Sequence, residues 1–180
     1  MPALQTETLF ISAGHSDTQP GAAAHGMTEA GIVLEFRDLL ADYLRSKVVF
    51  AKDGEPGQNL PLRNAARMAA KHDLAVEFHC NAGPPGATGV ETLSRPEHYP
   101  LGRELCAAVS HSMGIPSRGA KPENSGQHSR LAFVSDGRGI LLELFFLSNK
   151  LELSKYIANR RRVVEAVGNV LVRAVTSDYS

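Results

Sequence analysis

The stretch Leu141-Leu142-Glu143-Leu144-Phe145-Phe146-Leu147 places a single carboxylate inside an otherwise apolar run. A short apolar run of this kind is typical of a strand that is buried on both faces. An ionised carboxylate without a partner is costly in such a place, so Glu143 is expected to be paired, hydrogen-bonded, protonated or beside a metal. The nature of that partner decides what this part of the chain does.

Apolar runs alternate with helical patterns along the rest of the chain, which favours an α/β fold. The predicted strands are 8–13, 47–51, 74–80, 88–93, 131–134 and 139–145. The predicted helices are 28–45, 60–71, 101–113 and 155–176, and a loop is expected at 116–129. We therefore expect one domain over residues 1–180, with a mostly parallel or mixed twisted sheet of about six strands and helices on both faces.

The composition is that of an ordinary globular protein. Nineteen Lys and Arg residues balance nineteen Asp and Glu residues, so no nucleic-acid partner is expected. No segment reaches the roughly 18 consecutive apolar residues of a membrane span, and the N-terminus lacks the pattern of a signal peptide. We expect synthesis in the cytoplasm without membrane insertion. Cys80 and Cys106 lie in unlike contexts and are expected to pack as free thiols.

Two residues with metal-binding side chains lie at the ends of predicted elements. His15 follows the first predicted strand, and active-site groups collect at such strand ends in α/β sheets. Taken alone, His15 is more often an ordinary loop histidine. Glu29 extends the apolar stripe of its helix toward the N-terminus, although a glutamate in the first turn, after Thr28 as N-cap, also complements the helix dipole.

A third such residue, His79, lies on a predicted strand. The two-residue period places Glu77, His79 and Asn81 on one face, so His79 is either a hydrogen-bonded core histidine or a ligand. Two histidines and one glutamate form an open zinc site, which leaves a fourth position for water. Glu143 could then accept a proton from that water as general base.

Short motifs in a characteristic order cover most of the chain. They are Gly14-His15, Pro20-Gly21-Ala22, Glu29, Leu62-Arg63-Asn64, Phe78-His79-Cys80-Asn81-Ala82, Gly89-Val90-Glu91-Thr92 and the segment from Leu142 to Asn149. The series resembles the zinc-dependent N-acetylmuramoyl-L-alanine amidases of the amidase-3 type. This is the peptidoglycan-cleaving fold of bacterial autolysins and phage endolysins.

The resemblance implies one Zn²⁺ per chain and a hydrolytic reaction. The implied ligands are His15, Glu29 and His79, and the implied catalytic carboxylate is Glu143. The bond cleaved would be the amide between N-acetylmuramic acid and L-alanine. Peptidoglycan is the expected partner of a monomeric enzyme, with Asn81, His128 and Arg63 as expected substrate-binding residues.

The chain departs from the family pattern at Glu77, where a small hydroxyl residue is usual. Glu77 is expected to orient an imidazole by hydrogen bonding, with an alternative base or a solvent-facing residue as the other possibilities. The segment after His15 is also not rich in glycine. Should Glu29 point away from the site, His25 or Asp17 is the replacement ligand to test.

Two rival functions fit the same residues. One is a zinc peptidase or deacylase acting on another amide bond, and the other is a non-catalytic, metal-stabilised wall-binding module. The absence of a signal peptide and of a separate wall-binding domain favours a compact phage endolysin. Such a protein would be released through a membrane lesion and would act in the periplasm or cell wall.

Overall fold

The apolar run around Glu143 forms one of the two central strands of a six-stranded sheet. The structure, a computed structural model, describes residues 8–126 and 128–176. The strands are β1 (Leu9–Ala13), β2 (Ala23–Ala24), β3 (Met27–Thr28), β4 (Phe50–Lys52), β5 (Leu74–Asn81), β6 (Val90–Leu93), β7 (Ser117–Lys121) and β8 (Ile140–Phe146). The helices are α1 (Glu29–Leu44), α2 (Leu62–Ala69), α3 (Tyr99–Met113), α4 (Ala132–Ser135) and α5 (Lys150–Thr176).

The main sheet has the strand order β4-β1-β5-β8-β6-β7, and β2 pairs with β3 in a separate two-stranded hairpin. Strands β4, β1, β5 and β8 are parallel to one another, whereas β6 is antiparallel to β8 and parallel to β7. The sheet is therefore mixed. The predicted α/β fold, with about six strands and helices on both faces, is confirmed.

The two faces of the sheet carry cores of different size. Helices α1, α3 and α5 cover one face with the larger apolar cluster, whereas α2 and α4 cover part of the other face. The smaller cluster, around Phe10 and Phe133, lies near the amino ends of the parallel strands. This leaves the carboxyl ends of the strands on the second face free to carry polar side chains.

Strand β5 shows how the alternation of side chains builds this polar edge. Val76, Phe78 and Cys80 belong to the larger core. The intervening residues Glu77 and His79 point to the opposite face, as the two-residue period predicts. Because β1, β5 and β8 are parallel, their carboxyl ends meet at one edge of the sheet, and the functional side chains collect there.

Four predicted elements differ from the structure, and one of them is the last helix, which begins at Lys150 and not at 155. The strand prediction at 131–134 is wrong, since these residues lead into the short helix α4, where Phe133 packs in the smaller core. The strand predicted at 47–51 begins later, at Phe50, after Val49 with 84% of its surface exposed. The predicted loop 116–129 contains the edge strand β7, whose residues lack an apolar pattern.

Cys80 and Cys106 are both buried and unpaired, as expected. Within the part of the chain that the structure describes, none of the helices has the length and apolar character that crossing a bilayer requires.

Candidate metal centre

Three side chains from distant segments converge at the carboxyl edge of the sheet. Nε2 of His15 lies 2.8 Å from Oε1 of Glu29, and Nδ1 of His79 lies 3.0 Å from the same oxygen. One donor atom from each residue lies within 4.8 Å of the other two. These are the three residues that the sequence singled out as candidate ligands, and the fold brings them together.

Glu29 is held in place by the start of helix α1. The hydroxyl of Thr28 caps the helix by accepting a hydrogen bond from the Gly31 amide, and Glu29 occupies the first turn with 4% of its surface exposed. The backbone N–H groups of Ala22 and Cys80 each donate to its carboxylate at 3.0 Å. The carboxylate therefore faces the sheet edge, and neither His25 nor Asp17 is needed in its place.

The charge state of Glu29 follows from these contacts. Burial alone would raise the pKa of the carboxyl group, but the hydrogen bonds and attraction to His15 and His79 outweigh it and hold the pKa well below its usual range. Glu29 is consequently an anion at neutral pH, as a metal-binding carboxylate must be.

His15 reaches the cluster because the backbone around it is unusual. It has a positive φ of 66°, in the left-handed region. Gly21 comes so close that a Cβ there would lie 2.5 Å from Nε2 of His15 and 2.6 Å from Oε2 of Glu29. A Cβ on Gly14 would lie 2.4 Å from the His79 ring. The two glycines therefore make room for the imidazoles.

Each ring nitrogen of His79 contacts a different carboxylate. Nδ1 faces Glu29, whereas Nε2 lies 2.9 Å from Oε1 of Glu77. Burial alone would lower the pKa of the imidazole, but the hydrogen bonds to the two glutamates raise it well above its ordinary value. The metal-free imidazole is consequently protonated at neutral pH and donates from both nitrogens.

Glu143 lies beside this cluster on strand β8, where it is the register partner of His79 on β5. It is the one partly exposed residue of the strand, and its Oε2 is buried without a hydrogen-bond partner among the described residues. Burial raises the pKa of Glu143 to about 7. Attraction to His79 opposes this rise, whereas repulsion from Glu29 and Glu91 adds to it. The carboxyl group can therefore accept and release a proton near neutral pH.

On its other side Glu143 is paired with Glu91 of the antiparallel strand β6. Glu91 accepts hydrogen bonds from Nε of Arg118 and Nζ of Lys121, both at 2.6 Å, and from the Asn81 amide at 2.9 Å. Burial alone would raise the pKa of Glu91, but the two cations outweigh it and lower the pKa. The cations thus keep this second carboxylate ionised beside Glu143.

No role is predicted from the sequence for Glu91, Arg118 or Lys121. Glu91 carried a signal, because it stands between the apolar Val90 and the small Thr92 on a short strand, as Glu143 stands among leucines. Arg118 and Lys121 lie in a segment that resembled a loop, and only the pairing of β7 with β6 brings them to Glu91.

A cleft of about 480 Å³ opens over these groups. Besides the three clustered residues and Glu143, its lining includes Asn81 and His128, two of the predicted substrate-binding residues. Arg63, the third, is exposed on α2, where its neighbour Leu62 lines the cleft instead. His25 contacts the Ser148 carbonyl oxygen and Asp17 the Asn59 amide, so both lie apart from the three candidate ligands.

This arrangement is suited to hydrolysis. A cluster of two histidines and a glutamate can hold one divalent metal and leave a position open, and a neighbouring carboxylate with a raised pKa can move a proton. The class that the fold and the site define is therefore an α/β hydrolase whose clustered side chains could hold a metal.

Comparison with known proteins identifies the family. Residues 9–176 match Amidase_3, described as N-acetylmuramoyl-L-alanine amidase. A protein from Neisseria meningitidis, provisionally named N-acetylmuramoyl-L-alanine amidase, has a crystal structure with a TM-score of 0.85 and 34% identity, covering 93% of this chain and 95% of that one. The chain belongs to the Amidase_3 family. It is an N-acetylmuramoyl-L-alanine amidase, a hydrolase acting on an amide bond of peptidoglycan.

Two further similarities are to a solved structure with the same fold and to a phage protein over part of its length. The catalytic domain of CwlV, N-acetylmuramoyl-L-alanine amidase from Bacillus (Paenibacillus) polymyxa var. colistinus, has the same fold, with a TM-score of 0.79 and 20% identity, covering 93% of this chain and 97% of that one. The endolysin of Bacillus phage SPP1 is 35% identical over 91 residues, which are 48% of this chain and 33% of that protein.

Proposed function

We propose that this amidase depends on Zn²⁺ and that His15, Glu29 and His79 hold the ion. The observation that carries the proposal is the convergence of two nitrogens and one oxygen, all within 4.8 Å of one another. Nε2 of His15 and Nδ1 of His79 lie 2.8 Å and 3.0 Å from one Glu29 oxygen, so a single ion would be within reach of all three side chains. Two imidazoles with one carboxylate are a donor set that zinc favours.

Zinc, when bound, polarises the substrate carbonyl and lowers the pKa of water at the open position. Glu143 performs the proton transfers of the reaction. It accepts the proton of the attacking water and then delivers it to the nitrogen of the departing L-alanine. Its place beside His79 in the sheet and its pKa of about 7 support both steps.

The polar residues along the cleft support a role in binding the glycopeptide. Asn81 is anchored to Glu91 by its amide and accepts a hydrogen bond from Ala82 N–H through its carbonyl oxygen. His128 stands at the exposed end of the cleft lining. We assign both to substrate binding; Arg63, exposed on α2 next to the lining residue Leu62, is not itself among the residues that line the cleft.

The bond cleaved is the amide that joins the lactyl group of N-acetylmuramic acid to L-alanine. The enzyme acts where this polymer lies, in the periplasm or cell wall, as a monomer with a lytic role. The likeness to the phage SPP1 endolysin over 91 residues supports the lytic role.

Zinc content and activity of single variants test the proposal. Replacing His15 or His79 with alanine is expected to abolish both stoichiometric zinc and hydrolysis of purified peptidoglycan. His111→Ala, on the exposed face of α3, is the matched control and is expected to change neither. Full activity of His15→Ala in the presence of a chelator would contradict the assignment.

A further inference from the structure

We propose that Glu77 is a positioning residue that fixes His79 as an Nδ1 ligand by accepting a hydrogen bond from Nε2–H. The inference rests on the proposed zinc site. It adds to that site an anionic hydrogen-bond partner, Glu77, on the same face of β5 as His79.

The two nitrogens of the His79 ring have separate partners. Nδ1 lies 3.0 Å from Oε1 of Glu29, the same oxygen that lies 2.8 Å from Nε2 of His15. Nδ1 is therefore the nitrogen that faces the candidate ligand cluster. Nε2 faces the opposite way and lies 2.9 Å from Oε1 of Glu77. An imidazole that binds a metal through one nitrogen carries its proton on the other, and Glu77 is placed to accept that proton's hydrogen bond.

Glu77 itself is fixed by the sheet. It is the register partner of Ser12 on β1, and the Ser12 hydroxyl donates to its Oε2 at 3.2 Å. Only 1% of its surface is exposed, and it is absent from the residues that line the cleft. Because it is buried and lies outside the cleft lining, Glu77 acts through His79 rather than as a base.

A carboxylate at position 77 makes a stronger hydrogen bond to His79 than a hydroxyl could make. Hydrogen bonds with an ionised partner are shorter and about twice as strong as neutral ones. A buried carboxylate whose other partner is a neutral hydroxyl also depends on the imidazole for compensation. The pair therefore holds the ring orientation before the metal arrives and increases the basicity of the ligand nitrogen.

The test combines the tautomer of His79 with the affinity for zinc. In the zinc-loaded parent protein, ¹⁵N-edited NMR of the histidine rings is expected to show His79 protonated at Nε2 and bound through Nδ1. Glu77→Ala is expected to lower zinc affinity by about 10- to 100-fold in chelator competition. Glu77→Gln keeps an acceptor without the charge, so a smaller loss is expected.

Glu152→Gln is the matched control. Glu152 is also a buried carboxylate, with 2% of its surface exposed, but it accepts hydrogen bonds from Gly89 and Phe146 amides and does not contact His79. This variant is expected to lose stability and to keep its zinc affinity. A general loss of folding would lower the zinc affinity of both variants.

Two results would overturn the inference while leaving the zinc site intact. They are coordination of His79 through Nε2, and parental zinc affinity in Glu77→Ala or Glu77→Gln. If Glu77→Ala fails to fold, the NMR of the parent and the affinity of Glu77→Gln still decide the matter. A parent protein without stoichiometric zinc would instead refute the proposed function.

Discussion

His79 and Glu143 are register partners on the neighbouring parallel strands β5 and β8. Adjacent strands lie about 4.8 Å apart, so backbone hydrogen bonds set the spacing between a candidate metal ligand and the candidate base. Neither residue depends on a flexible loop for its position. The sheet thus supplies a rigid support for the proton transfer proposed for this site.

Replacement of Glu143 by glutamine is expected to separate catalysis from metal binding. The side chain keeps its size but loses the ability to accept the proton, so turnover of peptidoglycan should fall by about 100-fold or more. Zinc content, measured by elemental analysis, should stay at the level of the parent. Glu97→Gln, on an exposed residue, is the control. A near-normal lytic rate in Glu143→Gln would exclude this residue as the base.

The raised pKa of Glu143 predicts a pH dependence of stability in the metal-free protein. In the folded state the Glu143 carboxyl group keeps its proton up to about pH 7, whereas in the unfolded chain it releases the proton near pH 4.5. The stabilising contribution is therefore complete below pH 4.5 and is lost as the pH rises through about 7. Glutamine cannot ionise. Urea unfolding should show the parent losing stability relative to Glu143→Gln across this pH range. Parallel curves of unfolding free energy against pH for the two proteins would contradict the raised pKa of Glu143.

Zinc binding is expected to release a proton at neutral pH. Hydrogen bonds to Glu29 and Glu77 raise the pKa of His79 well above its ordinary value, so the metal-free ring is protonated. Its Nδ1 must lose that proton before it can bind a metal. Calorimetry in buffers of different ionisation enthalpy should detect the release, and zinc affinity should increase with pH. A heat of binding that is independent of the buffer would argue against this account.

Gly21→Ala is expected to lower zinc affinity through steric conflict. The added Cβ would lie 2.5 Å from Nε2 of His15. Gly26→Ala is the matched control, since Gly26 also has a positive φ, 77° against 66°, but a Cβ there meets no atom within 4 Å. Both variants should lose about 1 kcal/mol of stability from backbone strain. Only Gly21→Ala should weaken zinc binding, and equal affinities would contradict the close packing.

The pair of cations at Glu91 is expected to stabilise the protein in a pH-dependent way. The lowered pKa of Glu91 means that its contribution is present above pH 4.5 and is lost as the pH falls through the folded-state pKa. Arg118→Met should cost about 1 to 2 kcal/mol at neutral pH, and less in acid. The control is Arg130→Met, which removes an exposed ion pair with Asp136 and should have little effect. Equal losses in acid and at neutral pH would contradict this role.

The local sequence pattern was sufficient to predict the helix and strands that bring the candidate ligands together. Helix α1 was predictable because its apolar spacing is regular and Thr28 caps it, and this places Glu29. The alternation on β5 placed His79 on the polar face. Glu143 was identifiable because a carboxylate in a buried strand requires a partner.

The remaining features depend on contacts that sequence pattern does not encode. Residues 131–134 are too few to distinguish a strand from a helix by pattern. In the fold, Glu123 accepts hydrogen bonds from the Leu131 amide and the Ser135 hydroxyl at the two ends of α4, a contact between segments that the local pattern does not contain. Strand β7 is an edge strand with charged residues and a glycine, and it forms only by pairing with β6. The role of Glu91 depends on this pairing, so it could not be derived locally.

The central claim is that the enzyme uses zinc to cleave the bond to L-alanine. The most direct test is mass spectrometry of purified peptidoglycan digested by the parent protein, by its chelator-treated form and by the same sample reloaded with zinc. The account predicts products with a free L-alanine amino group, their loss on chelation and their return with zinc. A new amine from inside the stem peptide, or undiminished cleavage by protein shown to be metal-free, would contradict it.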